Sequence, residues 1–541
     1  MRSIIFSTVL ATCLLVVSGC NNDLLDITPK DRLSEESVFQ DPAYLEAMVN
    51  TGYNGLPNYI MGNEPMMASI TDESYMIWDR GTYSVARGQV SPDNAGLFTN
   101  GWTQWGAIRS ANQFLERIDN ATLDEALKQR LKGEMKFLRA YWYFDMVAKV
   151  GGLPIITQVL NINDEFNLTR NSSDEVFEFV LDELAESAEM LPLVPAVRGR
   201  ISKGAALALR SRASLYFASP LFNPSNDRTR WQLAADAAKA VIDLGIYKLN
   251  DSYSETFLAD NEEIILAKYY RNTKVEQLVD LYNQPTKPGG GWAGNQPLEN
   301  LVGAYEMRDG TRFDWSNPVH RAAPYENRDP RFDASILANG SIWQEAEIET
   351  WTYSDGDGGG VNSSAHNPGG GWAVAGYFMK KFMNEAYKPN NSMSFGGEQP
   401  NIFFRYGEIL LNYAEALNAL GNDGEARNFV NLVRSRPSVD MPPVTESGDA
   451  LKDRIMNERR IELAFEGHRW FDLRRWKVAM QYANEPAKGV SAIKDRTTGE
   501  ITYELIVVDP NRKFEEQHYL SPIPRSEIER SPSLVQNPGY N

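Results

Sequence analysis

Cysteine is nearly absent from this 541-residue chain, which contains only Cys13 and Cys20. Cys13 lies inside an N-terminal apolar stretch that reads as a cleaved export signal. A processed chain would keep one thiol, so no internal disulfide can form. Stability must then come from a buried core, and roughly 520 residues are ample for one. Histidine is scarce as well. His320, His366, His468 and His518 are dispersed and lack metal-ligand spacing such as H-E-x-x-H. No G-x-S-x-G elbow, P-loop or nucleotide-binding glycine fingerprint is present. Long apolar runs are missing too: the longest, Ile4 to Val17, falls short of the about 20 residues a membrane span needs. Positive charge is in deficit, with 54 Lys plus Arg against 72 Asp plus Glu and a net charge of −18. An acidic surface argues against nucleic acid as a partner and against direct adsorption to anionic lipid.

What is present begins with residues 1–19. Arg2, the apolar stretch and the small pair Ser18-Gly19 make a signal peptide. The ending Val17-Ser18-Gly19-Cys20 resembles the lipobox of bacterial lipoproteins, which implies cleavage before Cys20 and acylation of its thiol. Residues 20–34 are polar, carry Pro29, Asp23 and Asp26, and read as a flexible tether. Residues 35–541 read as one mostly α-helical domain. Its N-terminal helical part runs to about 280, a loop-rich part covers about 281–400, and a C-terminal helical part covers about 401–541. Apolar residues at helical spacing predict helices over 107–118, 123–150 and 174–191. Two helix pairs, 203–218 with 231–244 and 406–420 with 425–436, alternate small Ala with large apolar residues. That alternation suits helix-turn-helix repeats of about 34 residues, and the scaffold is expected to hold three or four such pairs.

The loop-rich part crowds Gly, Pro, Asn and Trp. Pro288-Gly-Gly-Gly-Trp292-Ala293 recurs as Pro368-Gly-Gly-Gly-Trp372-Ala373. Either these are two turns with a buried Trp plug, or they are two platforms facing a ligand. Asp355-Gly-Asp357 begins like a calcium loop, but the twelfth position holds His366 rather than Glu. No cofactor is called for, and a structural calcium ion lacks support. Between Asp449, a candidate helix cap, and Trp476, charges thread through aromatics, which predicts buried ion pairs locking two helices. The competing reading, Glu458 or Glu462 as a catalytic acid, is weaker because a paired carboxylate stays ionised.

The stretch "RIMNERRIELAFEGHRWFDLRRW" (454–476) resembles the signature of SusD/RagB-family lipoproteins of the Bacteroidetes. "FLRAYWYFDMVAKVGGLPII" (137–156), "LVGAYEMRDGTRF" (301–313), "RDPRFDASIL" (328–337), "FRYGEILLNYAEALN" (404–418) and "LSPIPRSEIERSPSLVQNPGY" (520–540) fit in family order. The resemblance implies a SusD-like irregular helical scaffold with about four tetratricopeptide-like pairs. It further implies a surface-exposed, lipid-anchored outer-membrane protein that binds oligosaccharide or polysaccharide and lids a SusC-like TonB-dependent transporter. A surface glycoside hydrolase and a binder of peptide or another nutrient are the alternatives. Sugars offer flat C–H faces and rims of hydroxyls, which suit aromatic rings and polar side chains. Candidate ligand residues are Asp72, Tyr75, Trp78 and Arg80 in one region and Trp292, Trp343, Trp351 and Trp372 in the other. Trp315, which follows the family-like "EMRDGTRF", is expected to be structural.

Overall fold

The computed structural model describes residues 39, 41–61, 64–160, 168–271, 277–366, 371–389 and 397–540. The signal peptide, Cys20 and the 20–34 tether lie outside the described residues, as does the start of the second Gly-Trp motif.

Helices dominate. α1 is Pro42–Tyr53, α2 Trp105–Arg117, α3 Glu125–Val150, α4 Ser173–Met190, α5 Lys203–Ala218 and α6 Arg228–Ile242. In the C-terminal part α7 is Tyr406–Ala419, α8 Asp423–Arg434, α9 Gly448–Glu462 and α10 Arg469–Arg475. Several of their ends follow from capping chemistry. Asp124, Ser202 and Asp227 accept from first-turn amides of α3, α5 and α6. Ser172 and Glu175 form a reciprocal capping box on α4. Gly151, with φ +75°, ends α3. The cap of α9 is Ser447 rather than Asp449. α9 stops at Glu462, and Phe465 (φ +64°) and Gly467 (φ +81°) then turn the chain out of the right-handed region.

The helices pack in series: α3 on α4, α4 on α5, α5 on α6, α6 on α7, and α7 on both α8 and α9. Close approach is possible because the contact faces are small; Ala205, Ala208, Ala234, Ala235 and Ala238 are all buried. One core spans these helices, including Leu138, Trp142, Phe177, Leu209, Ile409 and Ile455. A second core underlies the loop-rich part, with Tyr253, Leu301, Phe332, Trp343, Phe378 and Phe465. Among the described residues no helix is long and apolar enough to cross a membrane.

Strands are few and short. β1 (Ser74–Met76) pairs antiparallel with β3 (Asn295–Pro297), and β2 (Ile264–Lys268) with β5 (Asn401–Arg405). β4 (Thr352–Tyr353) lies parallel to β6 (Ala487–Lys494), which forms a hairpin with β7 (Ile501–Asp509). This hairpin interrupts the C-terminal part expected to be helical. Residues 501–509 read I-T-Y-E-L-I-V-V-D, rich in β-branched side chains that favour a pleated surface.

Between the two cores lies a buried ion network built on α9. Glu462 accepts from Arg331, Arg405 and Arg436; Glu458 accepts from Arg331 and Arg434. Glu263 and Asp329 complete the charge balance. Burial alone would raise the Glu462 carboxyl, but the surrounding guanidinium groups hold it well below the usual carboxylate range. The predicted lock between α9 and α10 is present as Arg459 Nε donating to Asp472 at 2.9 Å, and Glu458 and Glu462 are spent on the network rather than held ready as acids.

Candidate functional site: an aromatic ledge on the β1–β3 ladder

The ledge starts from three residue pairs. Ser74 faces Pro297, Tyr75 faces Gln296 and Met76 faces Asn295, and the Ile77 amide donates to the Gly294 carbonyl at 3.0 Å. This ladder brings two regions far apart in sequence to one place. Trp78 and Trp292 meet edge to face, with centroids 6.2 Å apart and planes at 85°. Tyr282 flanks Trp292 at 5.4 Å. All three rings are half-buried, each with one part packed and one part open. Geometries of this kind favour ring pairs beyond simple burial.

The backbone around Trp292 is held tightly. The Trp292 amide donates to the Leu281 carbonyl at 2.7 Å, and the Gly294 amide to the Tyr282 carbonyl at 2.7 Å. Glycine is required at two of these positions. A Cβ on Gly291 would lie 2.3 Å from the Gln284 carbonyl oxygen, and one on Gly294 would lie 3.0 Å from the Trp78 ring. Buried Asn295 acts as a clamp. Its Nδ2 donates to the Glu64 carbonyl and to Asn283 Oδ1, while its Oδ1 accepts from the Met66 amide and Ser69. Below, the Asp280 carboxylate accepts from Gln284, Gln399 and the Asn384 amide, which fixes the short helix Val279–Asn283 that carries Tyr282. Burial pushes Asp280 up to about 6, against the effect of those hydrogen bonds.

Polar groups rim the rings. The Arg80 guanidinium lies 5.9 Å from the Trp78 ring and pairs with Glu64. Tyr75 stacks on Tyr83 at 5.2 Å and 18°, and the Tyr83 hydroxyl donates to the Met76 carbonyl. Trp372 is half-buried and joins the same region through its backbone: its carbonyl accepts from Gln296 Nε2 at 2.7 Å, and the Gly371 carbonyl accepts from Thr286. Gly371 and Trp372 thus lie against Thr286 and Gln296, residues that flank the first Gly-Trp motif.

Other sequence candidates fall elsewhere. Asp72 is 2 % exposed and accepts from Arg460 and Arg469. Burial opposes its charge, but those guanidinium groups hold it well below the usual carboxylate range, so it serves the interior rather than a ligand rim. Trp343 is 1 % exposed within the second core, where no ligand reaches its faces. Trp351 belongs to a separate patch, packed edge to face on Tyr353 with the Lys494 ammonium 4.3 Å from its ring. Trp315 has a structural role, as expected, donating its indole N–H to Glu299 at 2.7 Å. Asp355 pairs with Arg496, and among the described residues no three His, Cys, Asp or Glu side chains are grouped to hold a metal. Sequence reasoning missed Tyr282, Tyr83, Glu64 and Asn295. The dipeptide Leu281-Tyr282, just upstream of the first Gly-Trp motif, was a local signal for Tyr282 alone.

Comparison with known proteins agrees with this architecture. A model described as the SusD family matches residues 262–540, and one described as starch-binding associating with outer membrane matches residues 23–215. A SusD-like protein, P2, from Formosa agariphila is 25% identical, covering 97% of this chain and 98% of its own. The crystal structure of a SusD-like protein from Bacteroides fragilis superposes with a TM-score of 0.79 at 29% identity, covering 94% of this chain and 99% of that one. That of a SusD-like carbohydrate-binding protein from the same species gives 0.77 at 27% identity, covering 92% and 100%. The first family match takes in more than half of the chain, from β2 through the Trp292 loop to the C-terminal helices, and the chain belongs to the SusD family.

Proposed function

We propose that this protein is a glycan-binding lipoprotein of the outer membrane, not an enzyme. In this reading it captures oligosaccharide or polysaccharide on the Trp78–Trp292–Tyr282 ledge. It is anchored through acylated Cys20 with the domain facing outward, and it hands its cargo to a SusC-like TonB-dependent transporter. The observation that carries the binding role is the ledge: two indole rings and a phenol, open on one side, rimmed by Arg80 and Glu64. Flat apolar faces beside charged donors and acceptors match the C–H faces and hydroxyls of a sugar ring. The carbohydrate-binding relative and the starch-binding family description support the same ligand class. The anchor and the hand-over rest on the lipobox-like ending at Cys20 and on family resemblance.

Stacking on two or three rings with a few hydrogen bonds gives affinities of roughly micromolar to millimolar. The test is isothermal titration against a panel of soluble polysaccharides, using the native protein and the triple variant Trp78→Ala, Trp292→Ala, Trp372→Ala. The native protein should bind one glycan class without releasing reducing ends, and the folded triple variant should lose that binding. Binding that survives in the triple variant would sink the ledge as the site.

A further inference from the structure

Beneath the segment leading into β1 lies a cavity of about 40 Å³, and it does not touch the ledge rings. Arg474, Arg512, His518, Ser521 and Tyr540 are among its polar lining, with Ile70 and Thr71 on the side toward β1, and Lys513, also in the wall, is exposed and paired with Glu515. Two of these groups are buried cations. Arg474 is 7 % exposed and lies flat on Trp470, its guanidinium carbon 3.6 Å from the ring centroid. Its donors reach the Tyr519 and His518 carbonyls, which carry no charge. Arg512 is 8 % exposed, and its Nε is buried with no hydrogen-bond partner among the described residues. Ser521 Oγ, in the same wall, is likewise buried and unpartnered there.

No Asp or Glu lines this cavity. The carboxylates that act on Arg512 from further off are Asp72 and Asp509. Each is already engaged, Asp72 by Arg460 and Arg469, and Asp509 by Arg87. Two guanidinium groups thus share a low-dielectric space without a matching negative charge, an arrangement that is strongly unfavourable unless something balances it. Burial pulls Arg474 down to about 9, which still leaves it a cation at neutral pH. Burial also pushes the Tyr540 phenol up to about 12, so its hydroxyl remains a donor. His518 Nδ1 accepts from the Glu515 amide, which leaves Nε2 as the protonated nitrogen of the neutral ring. The wall is mostly apolar, and its small polar part is rich in donors and poor in acceptors. A cavity of this size has room for about two or three waters, and hence for one halide but not for a sugar ring.

We infer that this cavity is a binding site for a small monovalent anion of chloride size, held by Arg474 and Arg512 with the Ser521 and Tyr540 hydroxyls. The anion neutralises the buried cations and fastens the 70–71 and C-terminal segments to one point. The site stands independently of the glycan reading, since nothing in it depends on what the ledge binds.

Two measurements test it. Crystals of the unaltered protein soaked in sodium bromide should show an anomalous peak between Arg474 and Arg512. Thermal unfolding in sodium chloride, compared with sodium gluconate at equal ionic strength, should raise Tm by about 2 °C near saturation. Arg512→Met should abolish that halide-specific rise. Should Arg512→Met fail to fold, the double variant Ser521→Ala, Tyr540→Phe replaces it, and its half-saturating chloride concentration should rise at least threefold. A bromide map at background level in the cavity, or a chloride response that these variants keep, would overturn the inference.

Discussion

Trp292 sits half-open on glycine-flanked backbone, while Trp343 is enclosed in the second core a short way along the same loop-rich part. Removing each should have opposite consequences. Trp292→Ala should lower glycan affinity at least tenfold in titration calorimetry with little change in urea midpoint. Trp343→Ala should lose about 3–5 kcal/mol of stability in urea, while the fraction that stays folded binds normally. Charge at a single residue is testable too. Glu73, 1 % exposed, accepts from the Phe465 amide, and burial together with nearby Asp72 pushes its carboxyl up to about 8 despite Arg469 and Arg460. A carboxyl raised in the folded state binds its proton more tightly there than in the unfolded chain. Its contribution is therefore full below the ordinary value of 4.5 and is lost as pH rises toward 8. Glu73→Gln keeps an acceptor for Phe465 and removes the titration. It should flatten the fall in stability between pH 5 and 8 and gain on the order of 2 kcal/mol at pH 8, read from urea midpoints across pH. At this scale the sequence was least informative. Asp72 and Trp343 had the right chemistry for a ligand, and only the approach of Arg460, Arg469 and the second core took them inward. Those partners lie hundreds or tens of residues away and leave no local trace.

At the scale of elements, the helices were legible and the strand pairings were not. α3 to α8 follow from apolar spacing, N-cap residues and Gly or Pro stops, all of which are local. β1 and β3 have three residues each, too few for an alternation to register, and their partners are set by chain folding alone. The ladder can be tested through Gly294, the residue that lets the Trp78 ring come near. Gly294→Ala places a methyl 2.9 Å from the Tyr282 carbonyl and 3.0 Å from the Trp78 ring. The expected result is a fall in glycan affinity of about tenfold, or about 1.4 kcal/mol. Far-UV circular dichroism should stay nearly unchanged, since the contact touches only the five-residue helix Val279–Asn283 and none of α1–α10.

At the scale of the molecule, the ion network on α9 joins the helical core to the loop-rich one. Its sequence signature was read correctly, because a dense alternation of Glu and Arg with aromatics favours internal pairing over a free catalytic acid. Glu462→Ala would leave Arg331, Arg405 and Arg436 facing one another in the interior. Breaking such a buried arrangement costs about 3–5 kcal/mol. Because the loss falls at the junction, tryptophan fluorescence and circular dichroism, which should report one transition in the native protein, should separate in the variant. The same carboxylate gives an acid limit. Held well below its ordinary 4.5, it stabilises the fold above that pH, and its contribution fades as pH drops further. Denaturation below pH 4 should accordingly be steeper in the native protein than in Glu462→Gln.

The β1–β3 ladder also sets a timetable. A ribosome delivers Tyr75 and Trp78 more than two hundred residues before Trp292. In that interval the first half of the ledge has no partner strand, and Trp78 has no ring to lean on. The proposed ledge is therefore completed only past the middle of the chain, later than its N-terminal helices and before its C-terminal ones. A fragment ending before residue 295 would keep Trp78, Tyr282 and Trp292 but lack β3, the strand whose pairing with β1 brings those rings together.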